Sequence, residues 1–443
     1  MSSPLENGSG ILKAGDYTLE VMEIRSEVTG KTVDLRGLIT NFEIYEDFFS
    51  PYLTAKLYVV DSFNFPERLP ITGQETVRIK FKPDLDAIKP VELVFRVYKL
   101  DGHKLGDNAK SQSYTLHLMS TGGFLNYSQF CGYSVKGTTS NMVQTIFEKH
   151  FPESVWKDRL FIEPSTENYS FVLSGSYTPF KAISWLAGKA YSEKGNAYTP
   201  YFFYETLDGY CYKSLSKIIE DGRASSQRYV YMPPNMGLAE DQVDRIPFPT
   251  SLPPRYHKVL KLDDLGRFDK ASNIQTGTIS SRLLVHDIVR KEQRYSQFFE
   301  ADVFSDKPKT GTEPLFKAER GDANGVLDTG AAFYYLPSTP FTVYRDLYPI
   351  ADNFQNESIF LKHKHHVGSV LSHKVAVMVF GDSRRRVGDV VTLDISRVQS
   401  DSFLDPSVSD KNLGGEYMIT SVKHEFNKSY MCKYELTKTC MGV

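Results

Sequence analysis

The feature of this sequence that most constrains its fold is a two-residue alternation of apolar and polar side chains between Gly15 and Met119. Successive side chains on a β-strand point to opposite faces of a sheet, so this period is typical of strands with one buried face. Turn-forming residues interrupt the alternation, and no strong helical pattern occurs between them. The pattern predicts an antiparallel sheet that closes into a barrel or sandwich. The alternating segments are 53–60, 77–81, 93–97 and 114–118.

The period changes to that of a helix after about residue 124. Ser140 is predicted to cap a helix that Pro152 ends, and Thr178-Pro179 opens a second helix. The aromatic run Tyr201–Tyr204 lies beyond them and has the composition of a strand. This mixture predicts an α+β domain that covers roughly residues 124–235.

A second β-region follows a proline-rich segment, which predicts an extended linker. Strands are expected at 375–380, 390–395, 417–422 and 430–436, with a helix near 354–371. The stretch 305–352 is rich in Gly, Pro, Asp and Thr and is interpreted as a long loop or an insertion. The fold class is therefore mainly β with an α+β part. The predicted units are an arm (1–14), a first barrel (15–123), the α+β domain (124–235), a linker (236–254), the second barrel in two parts (255–304 and 353–443) and the insertion (305–352).

Charge and cysteine content exclude several functional classes. With 52 basic and 54 acidic residues, the chain has no general positive field to retain a polyanion such as DNA. Its four cysteines form no C-x-x-C pair, so neither a zinc site nor a disulfide framework is indicated, and we expect reduced thiols in a cytosolic product. The polar amino terminus and short apolar stretches favour a soluble chain without a signal for classical secretion. The 27 Tyr and 29 Phe favour half-buried sheets and large contact surfaces.

The histidines of 363–373 are the most prominent candidates for a metal site. Neutral imidazoles are common ligands of transition metals, and four histidines occur here at short spacing. His363 and His366 share a face of the predicted helix, but His365 points away and no carboxylate or thiol is close in sequence. We therefore favour solvated or packed histidines. The four are His363, His365, His366 and His373.

Other candidates for catalysis have equally ordinary interpretations. Asp263-Asp264 beside Gly266 is interpreted as a turn, and the acids of 43–47 (Glu43, Glu46 and Asp47) as the polar side of a strand end. Gly381-Asp382-Ser383 lacks the second glycine of a nucleophile elbow and is interpreted as a hairpin turn. Gly122-Gly123 is followed by no lysine, so no phosphate-binding loop is indicated. We expect no catalytic, cofactor-binding or metal-binding residue.

Two clusters could instead contact a partner. Arg384-Arg385-Arg386 could bind phosphate or an acidic surface, but a solvated hairpin tip is the favoured interpretation. Tyr201–Tyr204 could stack on sugars, but a buried strand is favoured because four consecutive rings cannot all face solvent on a pleated strand.

Several segments resemble hub proteins of contractile phage tail baseplates. Ile39–Asp61 has the strand pair ended by an aspartate, and Leu69–Phe81 has the Leu-Pro turn and Gly-x-Glu before the next strand. Further matching segments are Phe202–Tyr210, Lys213–Leu215 and Gly414–His424, whereas 305–352 has no counterpart. The resemblance extends to the hub part of type VI secretion spikes.

The resemblance implies two tail-tube-like antiparallel β-barrels with an α+β domain. It also implies a non-enzymatic homotrimer in the virion baseplate, assembled in the host cytoplasm. Such a ring joins the hexameric tail tube, or a tube-initiator protein, to a trimeric central spike. Its further implied partners are the tape measure protein, baseplate wedge proteins and DNA that passes through the lumen. The alternatives are a cell-wall glycan hydrolase or a glycan-binding tail component, and the tube protein itself, although tube subunits usually have one barrel.

Overall fold

Strands dominate the part of the chain that the structure describes. The structure is a computed structural model, which describes residues 15–69, 71–83, 88–106, 110–166, 168–192, 198–231, 254–266, 269–287, 291–300, 304, 309–315, 332–337, 353–395, 410 and 412–440. The strands within these ranges are β1 (Tyr17–Ser26), β2 (Thr32–Asp34), β3 (Ile39–Asp47), β4 (Thr54–Asp61), β5 (Glu75–Pro83), β6 (Val91–Leu105), β7 (Gln112–Ser120), β8 (Ser134–Thr138), β9 (Leu160–Ile162), β10 (Asn168–Val172), β11 (Tyr191–Ser192), β12 (Thr199–Thr206), β13 (Gly209–Ser214), β14 (Gln227–Tyr231), β15 (Lys261–Gly266), β16 (Ser280–Asp287), β17 (Glu292–Phe299), β18 (Ala332–Pro337), β19 (His373–Phe380), β20 (Val390–Ile395), β21 (Gly415–Phe426) and β22 (Tyr430–Lys438).

The helices are fewer and mostly short. They are α1 (Phe65–Arg68), α2 (Thr121–Asn126), α3 (Thr139–His150), α4 (Glu153–Trp156), α5 (Pro179–Ala187), α6 (Leu215–Ala224), α7 (Lys270–Gln275) and α8 (Asn353–Ser372), with a 3₁₀ turn at Pro254–His257. The predicted class, mainly β with an α+β part, is confirmed. Within the described ranges, no helix combines the length and the apolar character that crossing a membrane requires.

One large sheet contains both predicted β-regions. Its strands follow the order β15-β19-β22-β21-β3-β4-β7-β6-β5-β1-β2, and β20 joins it beside β21 and carries β14 on its other side. The amino-terminal strands β1–β7 thus meet the carboxy-terminal strands through the antiparallel pair β3–β21, which runs from Phe42 opposite Phe426 to Asp47 opposite Ser421. The alternation in the sequence accounts for the buried face of this sheet, since β4 buries every second residue from Ala55 to Asp61.

The α+β region contains the two helices that the sequence predicts. The side chain of Thr138, two residues before the predicted Ser140, caps α3 by accepting a hydrogen bond from the backbone N–H of Asn141. The helix ends before Pro152, and α5 begins at Pro179, as predicted. These helices pack on the sheet β11-β12-β13-β9, next to the β8–β10 pair.

Strand β12 connects this region to the large sheet. Every residue of β12 is buried. The rings of Tyr201 and Phe203 belong to the core of the α+β region, whereas Phe202 and Tyr204 belong to the core beneath the large sheet. The preferred interpretation of this aromatic run as a buried strand therefore agrees with its position, because it has a hydrophobic core on each face.

A separate three-stranded sheet lies beyond β15. Its order is β17-β16-β18, and it packs on α8 through Leu283, Val285, Phe298 and Leu361. Strand β18 lies within 305–352, so that stretch is not only a loop. Helix α8 agrees with the helix expected near 354–371. The arm 1–14 and most of the linker 236–254 lie outside the described residues, and the domain boundaries stay a prediction.

Candidate interaction surfaces and buried polar clusters

The acids of 43–47 are not simply the polar side of a strand end. Glu46 and His424 lie on the inner face at the β3–β21 junction, both completely buried, and Nε2 of His424 is 3.0 Å from Oε1 of Glu46. Glu43 is also buried and forms an ion pair of 2.7 Å with Lys423. The two-residue alternation assigns Glu46 to the same face of β3 as Phe42 and Ile44. This pattern was the signal in the sequence that Glu46 is buried and needs a buried partner.

His424 is held as the charged form by its surroundings. Burial alone would lower the pKa of its imidazole, but Cys432 and Glu46 together raise that pKa to about 9. The other ring nitrogen, Nδ1, is 2.8 Å from the hydroxyl of Tyr430. Tyr430 in turn belongs to a stack in which its ring centroid is 4.3 Å from that of Phe426, which lies 4.2 Å from Phe42. The ion pair and the aromatic stack together stabilise the junction of the two β-regions.

The arginine cluster is not a solvated hairpin tip. Arg385 is only 9% exposed, and its guanidinium lies 3.8 Å from Asp382 and 3.5 Å from Asp389. Arg386 forms two hydrogen bonds of 2.8 Å with the carboxylate of Asp208, in the turn between β12 and β13. Carboxylates of this chain therefore neutralise most of the positive charge, which leaves little of it for phosphate or an acidic partner.

Two predicted turns also differ from their interpretation. Asp263 and Asp264 lie within β15, opposite Ala376 and Val375 of β19, rather than in a turn. Gly381-Asp382-Ser383 is a turn but not a hairpin, because β19 pairs with β15 and β22 whereas β20 pairs with β14 and β21. Gly122-Gly123 lies in the first turn of the short helix α2, where Gly122 packs closely against Tyr210 and Gly123 against Tyr52.

The histidines lie on or next to α8. His365, His366 and His373 are buried, and Nδ1 of His365 is 2.5 Å from the carbonyl oxygen of Thr278. In the part of the chain that the structure describes, no three His, Cys, Asp or Glu side chains come together in a metal-binding cluster. All four cysteines are buried, and no disulfide bond joins any of them within the described residues.

Glu205 is a buried carboxyl group that the sequence analysis missed. Its Oε2 accepts hydrogen bonds from the backbone N–H of Leu53 at 2.9 Å and from the hydroxyl of Ser120 at 2.5 Å. Burial raises the pKa of Glu205 to about 7, although these hydrogen bonds act in the opposite direction. These hydrogen bonds connect β12 to the start of β4 and to the end of β7. Leu53 and Ser120 are distant from Glu205 in sequence, so no local pattern predicted the contact.

Exposed aromatic side chains form two candidate interaction surfaces. The first is the outer face of the three-stranded sheet, where Tyr295, Phe333 and Tyr335 are 68%, 58% and 54% exposed. The second is a groove of 530 Å³ whose wall includes Tyr98 and Tyr127. Large exposed aromatic rings are enriched at protein–protein interfaces, where an apolar ring carries a polar edge.

Comparison with solved structures identifies the fold. The tail protein from Neisseria meningitidis aligns over 95% of this chain and 96% of its own, with a TM-score of 0.55 and 10% sequence identity. The 43 kDa tail protein of prophage MuSo2 from Shewanella oneidensis aligns over 95% of this chain and 99% of its own, with a TM-score of 0.53 and 8% identity. A Francisella PdpA-VgrG complex aligns over 96% of this chain and 53% of its own, with a TM-score of 0.49 and 10% identity.

Sequence comparison adds no relative to these structural ones. No protein-family model matches the chain, and no curated protein matches it significantly. The two tail proteins above nevertheless share the arrangement of almost the whole chain. The chain therefore has the fold of phage tail proteins, and the resemblance stated from the sequence is confirmed at the level of the fold.

Proposed function

We propose that this protein is a structural component of a phage tail, and specifically the hub of its baseplate. The observation that carries the proposal is the shared fold with two tail proteins, which extends over 95% of the chain. Because the match includes both β-regions and the α+β region together, it favours a role for the whole chain rather than for one borrowed domain.

The working unit in this proposal is a homotrimer. Three chains, each with the two β-regions β1–β7 and β19–β22, supply six similar units that face a hexameric tail tube or its initiator, and three α+β regions that face a trimeric central spike. The exposed rings of Tyr295, Phe333 and Tyr335 supply apolar contact area for neighbouring chains or for baseplate wedge proteins.

The proposed ring has a lumen through which the tape measure protein and DNA pass. A formal net charge of −2 supports this part, since a strongly basic wall would retain DNA. The place of action is the baseplate of the virion, after assembly in the cytoplasm of the host.

The proposal is that the protein acts without catalysis. The most chemically promising groups already have structural partners: Glu46 pairs with His424, and Asp382 holds Arg384 through hydrogen bonds of 3.0 and 3.1 Å. Asp264 lies within β15, and no three His, Cys, Asp or Glu side chains gather in a cluster among the described residues. Turnover of peptidoglycan or of an ester by the pure protein, abolished by Asp264→Asn or Ser383→Ala, would overturn this part.

The decisive experiment measures stoichiometry. The protein is purified with and without the product of the neighbouring spike gene, and native mass spectrometry gives the mass of each complex. Three chains bound to three spike chains are expected. Two or six chains per spike trimer would overturn the symmetry-adaptor proposal. A stable assembly of this protein that takes up no spike protein would overturn the assignment as a hub.

A further inference from the structure

A cavity of 490 Å³ lies where four parts of the chain meet. The turn after β3 contributes Phe48 and Phe49, β12 contributes Phe202, and the end of α5 contributes Ala187 to Lys189. Helix α8 closes the remaining side with Ile359, Phe360, His363, Lys364 and Val367. Ligand sites are typically of this size and commonly lie between structural units.

The apolar wall of the cavity has room for a ring. Phe49 is 46% exposed and stands edge-on to Phe202, with ring centroids 6.4 Å apart. Phe48 packs behind both rings, 4.5 Å from Phe202, and is fully buried. A third aromatic side chain packed against the exposed part of Phe49, beside Phe202, would gain the edge-to-face contacts that aromatic pairs favour.

Two lysines give the cavity a positive rim. Neither Lys189 nor Lys364 forms an ion pair with a carboxylate among the described residues, whereas Lys213 and Lys217 on the opposite side of β12 both pair with Asp221. The ammonium group of Lys189 lies 5.7 Å from the ring centre of Trp185, and that of Lys364 lies 5.7 Å from the ring centres of both Tyr334 and Phe360. Burial lowers the pKa of Lys189, so an anion beside it would be stabilised more than one at an exposed lysine.

His363 adds a hydrogen-bond acceptor to the same wall. Its imidazole ring forms a hydrogen bond with the backbone of Gly188. The N–H of Gly188 already donates to the carbonyl oxygen of Ser184. His363 must therefore donate to the carbonyl oxygen of Gly188, and in the neutral imidazole the other nitrogen is an acceptor. That nitrogen, Nε2, is buried and has no hydrogen-bond partner in the described part of the chain. It is suited to a donor such as a peptide N–H.

We infer that this cavity is the docking site for a short segment of a partner protein in which an aromatic residue adjoins an acidic one. The ring of the segment packs on the exposed part of Phe49 beside Phe202, its carboxylate meets Lys189 and Lys364, and a backbone N–H reaches toward Nε2 of His363. The bound segment would hold α8, α5 and the β3–β4 turn together. The inference rests on the geometry of the cavity and does not depend on the proposed trimer.

Fluorescence anisotropy with defined peptides tests the inference. The probe is a short fluorescein-labelled peptide of alternating Asp and Phe, added to the full chain. Control peptides replace every Asp by Lys or every Phe by Ala. We expect saturable binding of the Asp-Phe peptide with a micromolar dissociation constant, and binding at least about tenfold weaker for each control peptide. Binding that does not saturate at millimolar peptide, or equal binding of the lysine peptide, would overturn the inference.

Matched variants locate the binding. Lys189→Glu combined with Lys364→Glu, and separately Phe49→Ser, should each weaken binding of the Asp-Phe peptide by at least about tenfold. The control, Lys104→Glu combined with Lys110→Glu, makes the same change of net charge at residues outside the cavity and should leave the affinity within about twofold. Each variant is first shown to have the circular dichroism spectrum and melting temperature of the parent. Equal weakening by the control pair would show that general charge, rather than the cavity, attracts the peptide.

Discussion

Glu46 on β3 and His424 on β21 form a hydrogen bond of 3.0 Å between two side chains that are both 0% exposed. The two residues come from opposite ends of the chain, and their contact lies at the only pairing between β1–β7 and β19–β22 that the described strands make. A buried ion pair of this kind is weak evidence for net stability. Removing only one of its two residues is nevertheless costly, because the charge of the other residue then stays buried without a partner.

Removing one partner of this pair should therefore destabilise the protein strongly. We expect Glu46→Ala or His424→Ala to lower the free energy of unfolding by about 3–5 kcal/mol, and the double variant to lose less than the sum of the two. Urea unfolding monitored by circular dichroism measures both quantities. The control is Glu153→Ala, in the exposed pair with Lys157, which should leave the midpoint unchanged. Strict additivity of the two variants would contradict direct coupling.

The same pair should make the free energy of unfolding fall at alkaline pH. The pKa of His424 rises from 6.5 to about 9 on folding, so its stabilising contribution is complete below pH 6.5 and is lost as the pH rises through 9. The loss should approach about 3 kcal/mol. Comparing His424→Gln with the parent protein at pH 6, 8 and 10 isolates this contribution from the titration of lysines and tyrosines. If the difference between the two proteins stays constant over that range, the imidazole does not titrate as described.

Glu205 should produce a second pH dependence, in a lower window. Its pKa rises from 4.5 to about 7 on folding, so the folded state is favoured most below pH 4.5 and this contribution is lost as the pH rises through 7. Glu205→Gln keeps an acceptor for Leu53 and Ser120 but cannot ionise. Between pH 5 and pH 8 the variant should gain up to about 3 kcal/mol of stability relative to the parent. A gain in the opposite direction would contradict the assignment of the raised pKa.

Arg386 should require its planar guanidinium. Its two hydrogen bonds of 2.8 Å to Asp208 tie the β12–β13 turn to the segment before β20. A lysine ammonium cannot form this paired geometry, so Arg386→Lys should cost about 1–2 kcal/mol, a modest value because Asp208 is largely exposed. Arg36→Lys, at the exposed pair with Asp34, is the matched control and should change the unfolding midpoint less. Arg36 also bonds Asp34 through two guanidinium nitrogens, but in solvent, so an equal effect of both substitutions would show that the burial of Arg386 contributes nothing.

Gly209 should tolerate no side chain. Its φ is +146°, and a Cβ at this position would overlap the backbone carbonyl of Arg159. Gly209→Ala should therefore destabilise the protein by more than about 4 kcal/mol or prevent folding, as soluble expression and thermal unfolding would report. Gly37→Ala, where no atom lies within 4 Å of the added Cβ, should be close to neutral. A Gly209→Ala protein with the parent melting temperature would contradict the described turn.

The sequence by itself determined the class of the fold. Period-two alternation, as in Thr54–Asp61, specifies which face of a strand is buried, and helical spacing after Thr178-Pro179 specifies α5, because these patterns act through neighbours a few residues apart. The aromatic run Tyr201–Tyr204 was predicted as a buried strand for the same local reason, since adjacent rings must point to opposite faces.

Only the tertiary structure decided which distant residues meet. Glu46 and the Arg384–Arg386 cluster were interpreted as solvated, but their partners His424 and Asp208 lie 378 and 178 residues away in the chain. The sequence also did not indicate that the two β-regions contact each other, and only the structure shows the hydrogen bonds between β3 and β21 that join them. Backbone pairing and the desolvation of charges depend on positions in space, and a short-range pattern in a single sequence contains no record of them.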